Sequence, residues 1–169
     1  ILVLANIDAQ NQAWRARALF GDSPWSIRLF PARAGAGVVF LTGMLARRLG
    51  GGTFAQALAA LSVLAAPVFL AFSSYLSMNP VEPLLWTGCA FVLLRLIQTG
   101  DTRLWLPFGL LAGIGILNKH TMLLFGFALV AGLLLTPERR LLASRWLLLG
   151  GLATLVVILP HLAWEISHG

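Results

Sequence analysis

Charge is scarce in this sequence. Of its 169 residues only 11% are charged, one is lysine and one is cysteine, whereas 59% are hydrophobic and the mean hydropathy is +0.86. A soluble domain needs far more polar surface than this. Because roughly 20 apolar residues span a bilayer core, the chain has room for about five or six crossings and for no sizeable soluble domain. The composition therefore predicts an all-α integral membrane protein.

The positive charge does not indicate nucleic acid as a partner. The formal net charge is +6, but all the basic residues except one lysine are arginines, and they stand between apolar blocks. Basic residues in such positions report membrane topology and contacts with phosphate groups, so we expect membrane lipids as partners and no nucleic acid. Cys89 lies inside an apolar run without a second cysteine, which excludes a disulfide within the chain.

Residues 1–33 differ from the rest of the chain. Arginines alternate there with large apolar side chains, and a turn-forming stretch at 21–24 interrupts them. This mixture is typical of amphipathic helices that lie in the membrane interface, so we predict an interfacial segment at 1–33 and a transmembrane domain at 34–169. The chain starts without an initiator methionine or a signal-like segment, and we expect further sequence upstream.

About six apolar runs follow, separated by short polar turns. They cover residues 34–46 with the preceding turn, 53–72, 80–98, 104–117, 121–135 and 146–164. The fourth and fifth runs have about 14 to 15 residues, short of the roughly 20 that a span needs. Either the bilayer is thinned there, or the polar turn at 118–120 lies below the membrane surface.

Arginine marks one side of the predicted membrane domain. The turns after the first, third and fifth runs are rich in arginine, whereas the intervening turns contain only Lys119. By the positive-inside rule the arginine-rich turns are cytoplasmic. The extracytoplasmic side then holds residues 1–33, 79–82, 118–121 and 161–168.

Glu82 is the only carboxylate between Asp22 and Asp101, and it falls in the first turn of its predicted helix. One interpretation is a helix cap, with Asn79 as N-cap, Pro80 at the first helical position and Glu82 at the third. The other is a catalytic or acceptor-orienting carboxylate at the membrane boundary, where an ionisable group is costly and usually functional.

Lys119 is the only lysine, and Asn118 and His120 flank it just before the predicted helix that starts at Thr121. A cation beside a helix N-terminus can bind a phosphate or pyrophosphate, because backbone N–H groups and the ammonium both point at the anion. His120 could bond the same phosphate. The alternative is an ordinary solvated turn.

Two further groups are candidates for binding. Arg28 and Arg33 could clamp a lipid phosphate, or they could belong to a helix whose long side chains reach the interface. His161, Glu165 and His168 share one helix face at spacings that could hold a metal, although polar residues are expected where a span leaves the membrane. We predict no definite metal site, and a divalent cation is the one cofactor left open.

An ordered set of motifs resembles one enzyme family. The motifs are RALFGDSPWSIRLFPAR at 17–33, LARRLGGG at 45–52, SMNPVEPLLW at 77–86, TGDTRLW at 99–105, GILNKHT at 115–121 and LLLTPERR at 133–140. In this order they resemble bacterial glycosyltransferase family 39 proteins, which are dolichyl-phosphate-mannose-protein mannosyltransferase-like enzymes. The resemblance covers nearly the whole chain from about residue 17.

The resemblance implies the GT-C fold and transfer of a sugar from a polyprenyl-phosphate donor to a lipid, glycan or protein acceptor, with inversion. It implies that Glu82 matches the acidic position of the second outward loop, and that Lys119 with His120 matches the basic motif near the donor phosphate. One departure is that the family's principal catalytic acid, in the first outward loop, has no counterpart except Asp8 or Asp22. The activity of this chain by itself is therefore in question.

The leading hypothesis is a glycosyltransferase of the bacterial inner membrane whose active face is extracytoplasmic. Lys119 and Arg28 would neutralise the phosphate leaving group, and Glu82 would position the acceptor hydroxyl. The alternative is a membrane transporter or a non-catalytic membrane scaffold. Transporters of that kind usually contain internal repeats and charges near mid-membrane, and neither is evident here.

Overall fold

The chain forms helices throughout the part that a computed structural model describes. It describes the backbone of residues 24–72 and 79–168 and the side chains of 29–71 and 79–167. The α-helices are α1 (Pro24–Arg48), α2 (Thr53–Ala65), α3 (Pro67–Phe72), α4 (Val81–Thr99), α5 (Trp105–Asn118), α6 (Thr121–Leu134) and α7 (Arg145–His168), with short 3-10 helices at Thr102–Leu104 and Pro137–Ala143. No strand occurs in these residues, which confirms the all-α prediction.

Three helices in the described part of the chain are long and apolar enough to cross a membrane. They cover Leu29–Arg48, Val81–Thr99 and Arg145–Ser167. α6 and the 3-10 helix after it pass the same test together, but they are bent by 119°. Within the described ranges the structure thus supports three spans, or four with the bent pair, rather than the predicted six.

The predicted second span is interrupted by proline. α2 ends at Ala65, Ala66 is extended (φ −74°, ψ 118°), and α3 begins at Pro67. Proline disfavours helical geometry in the residue before it, so one apolar run yields two helices of 13 and 6 residues. Hydropathy does not register this break, because alanine and proline leave the run apolar.

The chain divides into two compact units, residues 1–84 and 85–169. In the first unit α1 packs against α2. The buried positions of α1 are Pro31, Ala34 and Val38, which share one face. α1 runs without a break through the boundary predicted at residues 33 and 34. Residues 1–23 of the predicted interfacial segment lie outside the described residues, so that assignment stays a prediction.

In the second unit α5 packs closely on α7. A Cβ at Gly109 would overlap the carbonyl of Gly150, and a Cβ at Gly113 would stand 2.9 Å from the Cβ of Val157. The Thr154 hydroxyl donates a hydrogen bond of 2.8 Å to the carbonyl of Gly109. Small residues at such spacing let two helices approach in lipid, where no hydrophobic effect draws them together.

A buried hydrophobic cluster holds several segments of this unit together at one end. Leu96, Trp105, Leu133 and Leu141 are buried together, and Trp105 Nε1 donates a hydrogen bond of 3.0 Å to the carbonyl of Leu141. The cluster joins the end of α4, the start of α5, the end of α6 and the 3-10 helix Pro137–Ala143. It therefore fixes the turns at one end of the α5–α6 hairpin.

Candidate functional site

Glu82 lies in the first turn of α4 as its second residue, one position earlier in the helix than the capping interpretation placed it. The helix begins at Val81, and Asn79 and Pro80 form the turn before it, with Pro80 buried. A carboxylate in this turn interacts favourably with the positive end of the helix dipole. Capping and an outward-facing catalytic carboxylate are both compatible with this position.

The start of α4 is held against α1 within the first unit. A Cβ at Gly37 would lie 2.7 Å from Cδ1 of Leu84, so the glycine allows that leucine to approach the α1 backbone. Leu84 follows Glu82 by two residues. The packing therefore fixes the helical turn that carries the carboxylate.

Arg28 and Arg33 both lie on α1, and Arg33 is exposed. The side chain of Arg28 is outside the described residues. A separation of five residues turns about 140° around an α-helix, so the two positions are not on one face. A phosphate held by both would need side chains that reach around the helix.

Asn118, Lys119 and His120 form the junction between α5 and α6. α5 ends at Asn118, Lys119 is extended (φ −163°, ψ 133°), and His120 precedes the first residue of α6. The backbone N–H of Lys119 donates to the carbonyl of Gly115 at 2.8 Å, and its carbonyl accepts from Met122 N at 3.1 Å. The lysine thus links the end of one helix to the start of the next.

Packing beneath the junction holds it in place. Met122 is 3% exposed, and its Cγ would lie 2.8 Å from a Cβ at Gly115. Because Gly115 has no side chain, Met122 fills that space and closes the hairpin. Lys119 and Asn118 are half-buried above it, and His120 is exposed. The three residues of the predicted basic motif thus occupy one junction, and their role in binding stays a prediction.

Two aromatic residues beside this junction were not predicted from the sequence. The rings of Trp86 and Phe125 are 5.1 Å apart and tilted by 32°. Phe125 follows Thr121 by four residues, so it lies one turn into α6 on the same face. Trp86 Nε1 is buried without a hydrogen-bond partner among the described side chains. The only sequence signal was the spacing of four residues between Trp86 and Glu82.

The comparison with protein families decides the class. Residues 13–164 match the family of dolichyl-phosphate-mannose-protein mannosyltransferases. The chain belongs to this family. Comparison with curated proteins gave no match, and comparison with solved structures gave none. Membership confirms the resemblance and implies a glycosyltransferase in general.

In this mannosyltransferase-family chain an apolar cavity adjoins the Lys119 junction. It is a half-open space of about 420 Å³ that lies among α5, α6 and α7. At the junction end its wall includes Ile116, Met122 and Leu123. At the opposite end its wall includes Trp105 at the start of α5 and Leu147 near the start of α7. The site thus combines a cation and a helix start with an apolar space that continues away from them.

The candidate metal residues do not form a cluster in the described part of the chain. His161 Nε2 and Glu165 Oε2 are 4.0 Å apart, as an ion pair would be if the histidine were protonated. The side chain of His168 lies outside the described residues. No group of three potential metal ligands occurs among the residues that the structure describes.

Proposed function

We propose that this protein transfers a sugar from a polyprenyl-phosphate donor to a lipid, glycan or protein acceptor. The observation that carries the proposal is the Lys119 junction, where a cation at the start of α6 adjoins an apolar cavity of about 420 Å³. A phosphate attached to a long apolar chain has the matching chemistry. The family to which the chain belongs supports the same reaction.

Lys119 binds the donor phosphate in this proposal. Its ammonium and the positive end of the α6 dipole stabilise the same anion. The phosphate leaves without protonation when its charge is held, so electrostatic stabilisation lowers the barrier more than acid catalysis does. Asn118 and His120 supply further polar contacts from the same turn. Arg28 and Arg33 are assigned to the headgroup or phosphate of the same lipid class.

Glu82 acts on the acceptor in this proposal. The acceptor oxygen forms a bond to the anomeric carbon, the bond from that carbon to the phosphate oxygen breaks, and the electron pair leaves with the phosphate. The proton of the acceptor hydroxyl passes to the Glu82 carboxylate. Asn79 orients the acceptor from the preceding turn. Attack from the face opposite the phosphate inverts the anomeric centre.

The proposal retains an extracytoplasmic active face in the bacterial inner membrane. The arginine-rich turns are then cytoplasmic, by the positive-inside rule. It also retains six crossings, with the broken pair α2 and α3 as one of them and with α5 and α6 as short helices. A helix of 14 residues is about 21 Å long, less than the roughly 30 Å of a hydrocarbon core. The Lys119 junction would accordingly lie below the membrane surface.

Binding of a labelled polyprenyl phosphate to the purified protein tests the role of Lys119. A hydrogen bond to a charged group contributes about 1.5–3 kcal/mol, so Lys119→Ala should weaken binding by roughly 10- to 150-fold. Lys119→Arg should retain most of the affinity, because the charge stays. Arg47→Ala removes one exposed cation from the last turn of α1 and serves as the matched control. Wild-type affinity in Lys119→Ala would exclude the assignment.

Glu82→Gln separates catalysis from capping. Glutamine has the size of glutamate and can still hydrogen-bond in the first turn of α4, but it cannot accept the acceptor proton. We expect transfer to fall by about 100-fold or more, with the midpoint of thermal unfolding unchanged. If the variant instead lost stability and kept its transfer rate, Glu82 would be a cap only.

A further inference from the structure

We propose that the second unit has a binding site for the headgroup of an anionic phospholipid, separate from the Lys119 junction. The site is the arginine cluster, which we define as Arg95, Arg103, Arg139, Arg140 and Arg145. It lies at the end of the α5–α6 hairpin opposite Lys119, about 21 Å away along α5. This role goes beyond sugar transfer, in which the cluster has no part.

The buried core of the second unit brings together the segments that carry the arginines. Arg95 directly precedes Leu96, and Arg140 directly precedes Leu141, two residues of the buried cluster with Trp105. Arg103 and Arg145 directly precede residues that pack against that cluster. The arginines come from four segments separate in sequence, and tertiary packing places them at one end of the unit.

The charge of this end is unbalanced. Asp101 and Glu138 are its acidic residues, so five arginines and two carboxylates leave three positive charges. Glu138 lies 3.7 Å from Arg140, whose side chain is 79% exposed, and such an exposed pair is weak. Asp101 accepts a hydrogen bond from the backbone N–H of Arg103 at 3.1 Å. The two carboxylates therefore neutralise the arginines only in part, and the remaining positive charge attracts an anion.

One guanidinium has an unmet hydrogen-bonding requirement. Arg95 Nε is buried and has no hydrogen-bond partner among the residues that the structure describes. A buried donor without an acceptor is costly, and native proteins usually satisfy it with a protein group, water or a ligand. Arg95 as a whole is half-buried, so a phosphate that enters beside its guanidinium can supply the acceptor, since guanidinium groups form paired hydrogen bonds with phosphate.

The surroundings of the cluster favour a lipid over a soluble anion. α4 ends at Thr99 and α7 begins at Arg145, so two spanning helices terminate at this level. Arg103 Cζ lies 5.9 Å from the centre of the Trp146 ring, and tryptophan is enriched at the membrane interface. Leu135, at the end of α6, and Leu148, in the first turn of α7, are 89% and 76% exposed. A headgroup on the arginines would leave its acyl chains against these leucines.

Titration of phosphatidylglycerol into nanodiscs of neutral phosphatidylcholine that contain the protein tests this site, with bound lipid counted by native mass spectrometry. Each basic residue near an anionic headgroup contributes on the order of a fivefold gain in affinity, so Arg139→Gln/Arg140→Gln should weaken binding about 30-fold. Both side chains are exposed, and the variant should fold normally. Arg95→Lys keeps the charge but removes the Nε donor, and we expect a loss of about tenfold.

Arg47→Gln/Arg48→Gln is the matched control, because it removes two charges from the last turn of α1 in the other unit. Less than a threefold change in this control, with the losses above, supports the site. Equal losses in the control and in Arg139→Gln/Arg140→Gln would show diffuse attraction and overturn the proposal. Displacement of the lipid by inorganic phosphate at constant ionic strength would indicate a soluble-anion site, and it would also overturn the proposal.

Discussion

Alanine at Gly150 should separate α5 from α7, whereas alanine at the next residue should not. A Cβ at Gly150 would overlap the carbonyl oxygen of Trp105 and lie 3.0 Å from its carbonyl carbon. These are backbone atoms, so no side-chain rotation can relieve the contact. A Cβ at Gly151 would meet nothing within 4 Å. Both residues lie inside α7, and only the first is buried.

The expected difference in stability follows from these contacts. Excess volume in a packed interface costs about 1–3 kcal/mol. Separating the helices also weakens the hydrogen bond from Thr154 to Gly109, and such bonds contribute about 0.6 kcal/mol in a membrane protein. The gain in helix propensity from glycine to alanine, about 1 kcal/mol, applies to both positions and cancels. Gly150→Ala should therefore be about 2–4 kcal/mol less stable than Gly151→Ala.

Unfolding in mixed micelles, followed by circular dichroism as the denaturing detergent increases, measures this difference. Gly109→Ala should behave like Gly150→Ala, because its Cβ would overlap the carbonyl of Gly150. If Gly150→Ala and Gly151→Ala agreed within about 0.5 kcal/mol, close backbone packing would not hold α5 on α7.

Three other substitutions test separate features by the same unfolding measurement. Trp105→Phe removes the hydrogen bond of 3.0 Å and strands the carbonyl of Leu141, and it should cost about 1–3 kcal/mol. Gly100→Ala should lower stability by about 1 kcal/mol, because φ is +67° there and a side chain is strained in that left-handed conformation. Trp86→Phe keeps an aromatic ring but removes a buried N–H that has no partner in the described residues, so stability should stay equal or rise. A loss above about 1 kcal/mol would show that this N–H has a hydrogen-bond partner in the folded protein.

The sequence predicted the long helices well. The predicted run 80–98 became Val81–Thr99, and the run 146–164 lies within Arg145–His168. Hydropathy succeeds there because an unbroken run of spanning length leaves the backbone little choice other than a helix. It did not predict the break at Ala66, because that break depends on local backbone geometry. The bend of 119° after Leu134 falls at the turn that was predicted after residue 135.

The sequence drew attention to candidate site residues because they are rare. The only lysine and an isolated glutamate stand out in an apolar chain, and the structure brings Asn118, Lys119 and His120 into one turn. Trp86 and Phe125 do not stand out, because aromatic residues are common in membrane helices. Their side chains are in contact although they lie far apart in the sequence, and the periodicity of apolar residues does not predict contacts of that kind.

The sequence by itself determined the class of this protein. Apolar content requires helices in a membrane, arginine placement predicts an orientation, and the motifs led to a family that the comparison over residues 13–164 confirms. Only the tertiary structure decided what those residues adjoin. Gly109 and Gly150 bring two helices into backbone contact, and the core around Trp105 brings the arginine cluster to one end of its unit. Contacts between residues far apart in the sequence depend on how the helices pack in three dimensions, and the hydropathy of the sequence does not predict that packing.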